Sequence, residues 1–244
     1  MIKPEQEKTI TENPFIHPDA YLWKLGNAVQ VWKFPAIPTA LALLTSSEKI
    51  IAGRFRFESD RNRFVVGRQA LRFLLSKYLS VNPLDISILA ERGQKPFIGN
   101  TSSGIHFNIS HSGEWVLIAL GRHELGIDLE KINPEFDFDK LLENHFSEAE
   151  QTFIYAAADQ VAAFYFLWTR KEALTKAWGT GLQESLKEVP ALNADSSLNQ
   201  QQKSWKLESF HLSALYPAAL AYSWEMENPI YFDGTASFKN FIGL

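Results

Sequence analysis

The 244-residue sequence predicts an α+β fold of two similar halves, about 1–123 and 124–244, with a ligand site in the cleft between them. Three observations carry this. A long segment with helical apolar spacing is followed by two strand-like runs, and that order occurs twice, at about 61–120 and about 159–224. The composition, 45% hydrophobic and 21% charged, is that of an ordinary globular chain. The chain is also long enough to bury a core without disulfides or a structural metal, and two similarly built halves leave a crevice in which ligands commonly sit.

Taken in order, Ala28–Phe34 (AVQVWKF) reads as a strand ending in a proline-containing turn. Arg61–Leu79 places Phe64, Ala70, Leu71, Leu74, Leu75 and Tyr78 at helical spacing, with Asp60 as candidate cap. Ile105–Ser110 and Trp115–Leu120 read as strands joined by the turn His111-Ser112-Gly113-Glu114. A second long helix is expected over Asp159–Trp178, then strands near Trp205–Leu212 and Ala218–Trp224. Asn193–Ser204 (NADSSLNQQQKS) is expected to be an unstructured polar loop.

Net charge is −4 with a pI near 5.9, which argues against a dedicated nucleic-acid binder. Between Lys49 and Ser80, however, stand Lys49, Arg54, Arg56, Arg61, Arg63, Arg68, Arg72 and Lys77 against only Glu58 and Asp60. That local excess reads either as a solvated helix face or as a docking surface for a polyanion. The absence of cysteine excludes disulfide scaffolds, thiol nucleophiles and thiolate metal sites. The longest apolar run, Val161–Trp168, falls far short of the ~18 residues of a membrane span. With no apolar leader at the N-terminus, a cytoplasmic protein is expected.

Gly126-Ile127-Asp128-Leu129-Glu130 has strand alternation: Ile127 and Leu129 would face a core and Asp128 and Glu130 the opposite side. Two carboxylates on one face suit Mg²⁺ beside a phosphorylated substrate; a solvated acidic edge strand would read the same way. In the helix, Glu172 and Lys176 lie one turn apart, with Trp168 one turn before them. This is either a routine surface ion pair or a stripe facing a cleft. His111, in Phe107-Asn108-Ile109-Ser110-His111-Ser112-Gly113, sits near a strand end. No metalloprotease helix, nucleophile elbow, phosphate-binding loop or dinucleotide fingerprint is present.

Read together, GQKP (93–96), FNISHSG (107–113), GIDLE (126–130) and WTRKEALTKAWGTGL (168–182) resemble the 4′-phosphopantetheinyl transferase superfamily. The resemblance is to its larger, surfactin-synthetase-activator type, and it spans about Glu48 to Leu182. It implies transfer of phosphopantetheine from coenzyme A to a serine of an apo acyl, peptidyl or polyketide carrier protein, releasing 3′,5′-adenosine bisphosphate. It implies Mg²⁺, with Mn²⁺ as an alternative, held by Asp128, Glu130 and Glu172, and Lys176 against the pyrophosphate. Glu172 is the expected base. Arg63 would take the 3′-phosphate, Lys95, Ser110 and His111 the nucleotide end, and Lys49 another coenzyme A contact. Ala52 occupies a position that is basic in some members, and Gln94 one that is commonly glycine or small. A two-half chain completes its own cleft, so a monomer is expected. Rival readings are a different Mg²⁺-dependent phosphoryl-transfer enzyme and a non-catalytic coenzyme A-binding or carrier-docking protein.

Overall fold

A computed structural model describes residues 11–12, 14–18, 23–90, 95–99, 103–179, 186–192, 195–198 and 203–243. Gly93, Gln94 and the stretch 180–182, part of the motifs above, lie outside the described residues, as do 193–194 and 199–202 of the polar segment. In chain order the first elements are β1 (Thr11–Glu12), β2 (Ala28–Pro35), α1 (Ser46–Ala52), α2 (Glu58–Leu79), β3 (Ile88–Leu89), β4 (Phe97–Ile98), β5 (His106–Ser112) and β6 (Trp115–Gly121). Then follow β7 (Leu125–Leu129), α3 (Asp139–His145), α4 (Glu148–Ala156), α5 (Gln160–Trp178) and β8 (Asp195–Leu198). The chain closes with β9 (Lys203–Ser213), β10 (Tyr216–Ser223), β11 (Glu227–Asp233) and α6 (Thr235–Ile242).

Two sheets form the centre. One runs β11-β2-β6-β5; the other runs β1-β9-β10-β7, with β8 added on β9. Alternation along β2 explains how they stack. Trp32 and Phe34 point to one side, into a core with Val66, Ala70, Leu71, Phe73 and Leu74 of α2. Val29 and Val31 point to the other, joining Leu117 and Ala119 of β6 against Leu125, Ile127 and Leu129 of β7 and Leu220 and Tyr222 of β10. On the far side of the second sheet, Ala173, Leu174 and Ala177 of α5 pack on Ala219 and Ala221 of β10 and Trp205 and Leu207 of β9. The order is therefore helix, sheet, sheet, helix, a mixed α+β fold of two similar helix-on-sheet halves.

The ends of the chain cross between the halves. β11 pairs in parallel with β2, and Phe238 of α6 joins the α2 core; β1 pairs in parallel with β9. Three local expectations are corrected. Helix α2 starts at Glu58 after Phe57, and Asp60 caps nothing because the Arg63 guanidinium claims its carboxylate. The β5–β6 turn is only Gly113-Glu114, with Gly113 at φ +54°, so His111 and Ser112 remain in the strand. Finally, Asp195–Leu198 forms an edge strand on β9 that begins again at Lys203; a polar edge strand lacks the apolar alternation that would have revealed it. Among the described residues no helix is long and apolar enough to cross a membrane.

Candidate active site

The site sits where β7 meets α5. Gly126 is on the α5-facing side of β7, and a side chain there would meet Ala173 O at 2.1 Å and Ala177 N at 2.4 Å. Only glycine lets the helix lie that close. Two residues on, Asp128 faces the same way and meets the side of α5 that carries Glu172 and Lys176. Ile127 and Leu129 face the inter-sheet core, as expected. Glu130, just past the strand, continues its ladder by donating its N–H to Pro217 O at 3.1 Å.

A cavity of about 600 Å³ opens over this junction, lined on one side by Ser110, His111, Asp128 and Glu130. Trp168, Glu172 and Lys176 of α5 line the other, with His145 and Leu186. Asp128 is buried; its Oδ1 accepts from Lys176 Nζ at 2.6 Å and from Ser110 Oγ at 2.9 Å. Glu130 Oε2 accepts from Ser112 Oγ at 2.9 Å. Among the described residues, buried Asp128 Oδ2 and Glu172 Oε1 have no hydrogen-bond partner.

The electrostatics follow. Burial, then the Asp128 charge, pushes Glu130 up to about 7. Burial also raises Glu172, with Lys176 opposing and Asp128 adding to the rise. Desolvation would lower Lys176, but Asp128 first and then Glu172 and Glu130 outweigh it and its pKa is raised. Three carboxylates share one ammonium, an excess of negative charge in a low-dielectric cleft, and orphaned carboxylate oxygens suit a hard cation. Among the described residues no three His, Asp or Glu side chains already stand at metal-ligating spacing, and Lys176 pairs with Asp128. The donor set nevertheless fits a divalent cation: all-oxygen, net negative, and with buried oxygens that no described residue satisfies.

The other sequence candidates are placed as follows. Arg63 reaches Gly113 O at 3.0 Å and Asp60 and is close enough to act on the cavity-lining His111 ring, but does not itself line the cavity. Lys95 donates to Leu125 O at the start of β7; burial lowers its pKa to about 8, with Glu124 opposing. Lys49 is exposed on α1 and does not line the cavity.

Three features escaped the sequence reading. His145, edge-on to Trp168 at 6.1 Å, lines the cavity from α3, a helix whose apolar stripe is too short to signal itself. Lys171, fully buried beside Glu172, bonds Glu150 at 2.8 Å and the carbonyls of Leu186 and Val189 at 2.7 Å, so it ties a wall of the cavity to α5. Ser112, in the FNISHSG motif and the expected turn but given no role by the sequence, holds Glu130. A strand extended by two residues would have signalled it.

A cleft between two helix-on-sheet halves, floored by three carboxylates and a lysine, defines a class of enzyme that handles a phosphorylated substrate. Two family models match adjoining stretches of the chain: "4′-phosphopantetheinyl transferase, N-terminal" over residues 33–123 and "4′-phosphopantetheinyl transferase superfamily" over 124–222. The chain is 34% identical over 169 residues to the 4′-phosphopantetheinyl transferase HetI of Nostoc sp., covering 65% of this chain and 71% of that protein. It is 33% identical over 168 residues to a putative 4′-phosphopantetheinyl transferase of Synechocystis sp. (66% and 68% covered). To the 4′-phosphopantetheinyl transferase Sfp of Bacillus subtilis it is 34% identical over 131 residues (53% and 57% covered). The chain belongs to the 4′-phosphopantetheinyl transferase superfamily, of the Sfp type, and is an enzyme of that class.

Proposed function

We propose that this enzyme transfers the phosphopantetheine of coenzyme A to a serine of an apo acyl or peptidyl carrier protein and releases 3′,5′-adenosine bisphosphate. The observation that carries the reading is the cluster of Asp128, Glu130, Glu172 and Lys176 on the floor of one cavity. The serine oxygen forms a bond to the pantetheine-side phosphorus, and the bond from that phosphorus to the bridging oxygen breaks. Negative charge then accumulates on the departing nucleotide phosphate.

Lys176, kept protonated by its carboxylate neighbours, is placed to neutralise that charge. Glu172, with one buried unpartnered oxygen and a raised pKa, is suited to take the serine proton. Asp128, Glu130 and Glu172 would hold Mg²⁺ or Mn²⁺, which supplies Lewis-acid neutralisation of the pyrophosphate when bound. Arg63, beside His111 of the cavity lining, suits the 3′-phosphate, and His111 and Ser110 the nucleotide end. Lys49 and Lys95, on α1 and beside β7, are assigned to outer coenzyme A contacts. Trp168, His145 and Leu186 offer an apolar wall for the pantetheine arm.

The enzyme is proposed to work as a cytoplasmic monomer, without nucleic acid or membrane; a solution mass of twice 27.7 kDa would count against the monomer. The test is intact-mass spectrometry of an apo carrier protein incubated with the enzyme and coenzyme A, with Mg²⁺ or with EDTA. A gain of one phosphopantetheine only with Mg²⁺ is expected. No gain across several unrelated apo carriers, with coenzyme A binding demonstrated, would overturn the reading.

A further inference from the structure

β5 and β7 are edge strands of different sheets and share no main-chain ladder. Side chains replace it. Ile127 N–H donates to Asn108 Oδ1 at 2.8 Å, Leu129 N–H to Ser110 Oγ at 3.2 Å, and Lys131 N–H to Ser112 Oγ at 2.9 Å. Both rows advance by two residues, so one face of β5 satisfies every second amide of β7.

At the two serines the contact does more. A serine hydroxyl has one proton. With an amide occupying its acceptor side, that proton goes to the carboxylate of the residue before: Ser110 to Asp128 Oδ1 and Ser112 to Glu130 Oε2, each at 2.9 Å. Asp128 is held additionally by Lys176, whereas Ser112 is the hydrogen-bond partner the structure gives Glu130. Asn108, the third member of the row, touches neither carboxylate in the bonds it makes.

We propose that Ser112 is a positioning residue: pinned by the Lys131 amide, its hydroxyl fixes Glu130 in the orientation from which that carboxylate binds the divalent cation. This rests on the metal reading above. Outer-shell hydrogen bonds of this kind commonly govern metal affinity by roughly 10–100-fold.

The test compares Ser112→Ala, Ser112→Thr and Asn108→Ala with the parent chain. Mn²⁺ binding to the coenzyme A-loaded protein is followed by the EPR signal of free Mn²⁺, corrected for coenzyme A alone, and thermal stability is measured alongside. Ser112→Ala is expected to weaken Mn²⁺ binding about tenfold or more, and Ser112→Thr, which keeps the hydroxyl, to restore most of it. Asn108→Ala is expected to lower the melting temperature while leaving Mn²⁺ affinity close to that of the parent. Should Asn108→Ala not fold, Ser112→Thr against Ser112→Ala still decides. Parent-like Mn²⁺ binding by Ser112→Ala, or an equal loss in Asn108→Ala, would overturn the positioning role alone. Absence of Mn²⁺ binding by the parent would overturn the metal reading with it.

Discussion

Two buried acidic sites, one under each long helix, are treated in opposite ways. Beneath α2, Glu48 is saturated: it accepts from Thr45 N–H and the Thr45 hydroxyl, from the Arg72 guanidinium at 3.0 and 3.1 Å, and it pairs with Arg68 at 3.5 Å. Beneath α5, Asp128 and Glu172 each keep a buried oxygen with no partner among the described residues, and Glu130 is held by a serine rather than a cation. A buried charge whose hydrogen-bonding capacity is met inside the fold has nothing left with which to bind a ligand. One that is under-satisfied costs stability and persists where a ligand completes it. Glu48 and Arg72 therefore belong to the fold, and the α5 cluster is the one proposed for the reaction.

The largest expected effect is on turnover. Glu172→Gln should reduce the transfer rate by about a thousandfold, in the range of lost proton-transfer catalysis, while coenzyme A affinity, read by calorimetry, stays close to the parent value. The same variant should melt no lower than the parent, since it removes a buried charge from a site with excess negative charge.

Next comes Arg72→Met, which removes the closest cationic partner of buried Glu48 and leaves it Thr45 and the longer Arg68 contact. A loss of about 3 kcal/mol in denaturant-measured stability is expected, with unchanged turnover per folded molecule. The reverse pattern in either variant would break the distinction between the two sites.

A smaller effect should follow from Gly126→Ala, because the added methyl has to push α5 away from β7. Overpacking of this kind costs about 1–3 kcal/mol. Since the displaced helix carries Glu172 and Lys176, transfer should fall as well, which separates it from Arg72→Met.

The smallest effect is a pH dependence. The folded chain binds the Lys95 proton less readily than the unfolded chain, with a pKa near 8 against an ordinary value of 10.5. Its charge therefore opposes folding fully below about pH 8, and the opposition fades as pH rises toward 10.5. Lys95→Met should flatten that rise in stability, as chemical denaturation between pH 7 and pH 10 would detect.

Much of the site was legible because two periodicities suffice to describe it. Alternation along 126–130 separated Ile127 and Leu129 from Asp128 and Glu130, and the one-turn spacing of Trp168, Glu172 and Lys176 placed them on one stripe that proves to line the cavity. What stayed hidden depends on neighbours that lie far away in sequence. Arg68 and Arg72 belong to a basic stretch that reads as a solvated helix face or a polyanion docking surface, but both turn inward to Glu48. The return of β11 and α6 to the first half, and the stitching of β5 to β7, follow only once the two sheets are stacked. Ser112 was legible as a turn residue because His-Ser-Gly-Glu has turn composition. Register with Trp115 keeps it in the strand and aims its hydroxyl at Glu130.

The most direct test is a single-turnover transfer measurement on Glu172→Gln and Arg72→Met side by side, each corrected for its folded fraction and read by the intact mass of the carrier protein. The account predicts that folded Arg72→Met transfers at the parent rate and that fully folded Glu172→Gln scarcely transfers at all. Parent-like transfer by Glu172→Gln, or an equal deficit in the two, would contradict it.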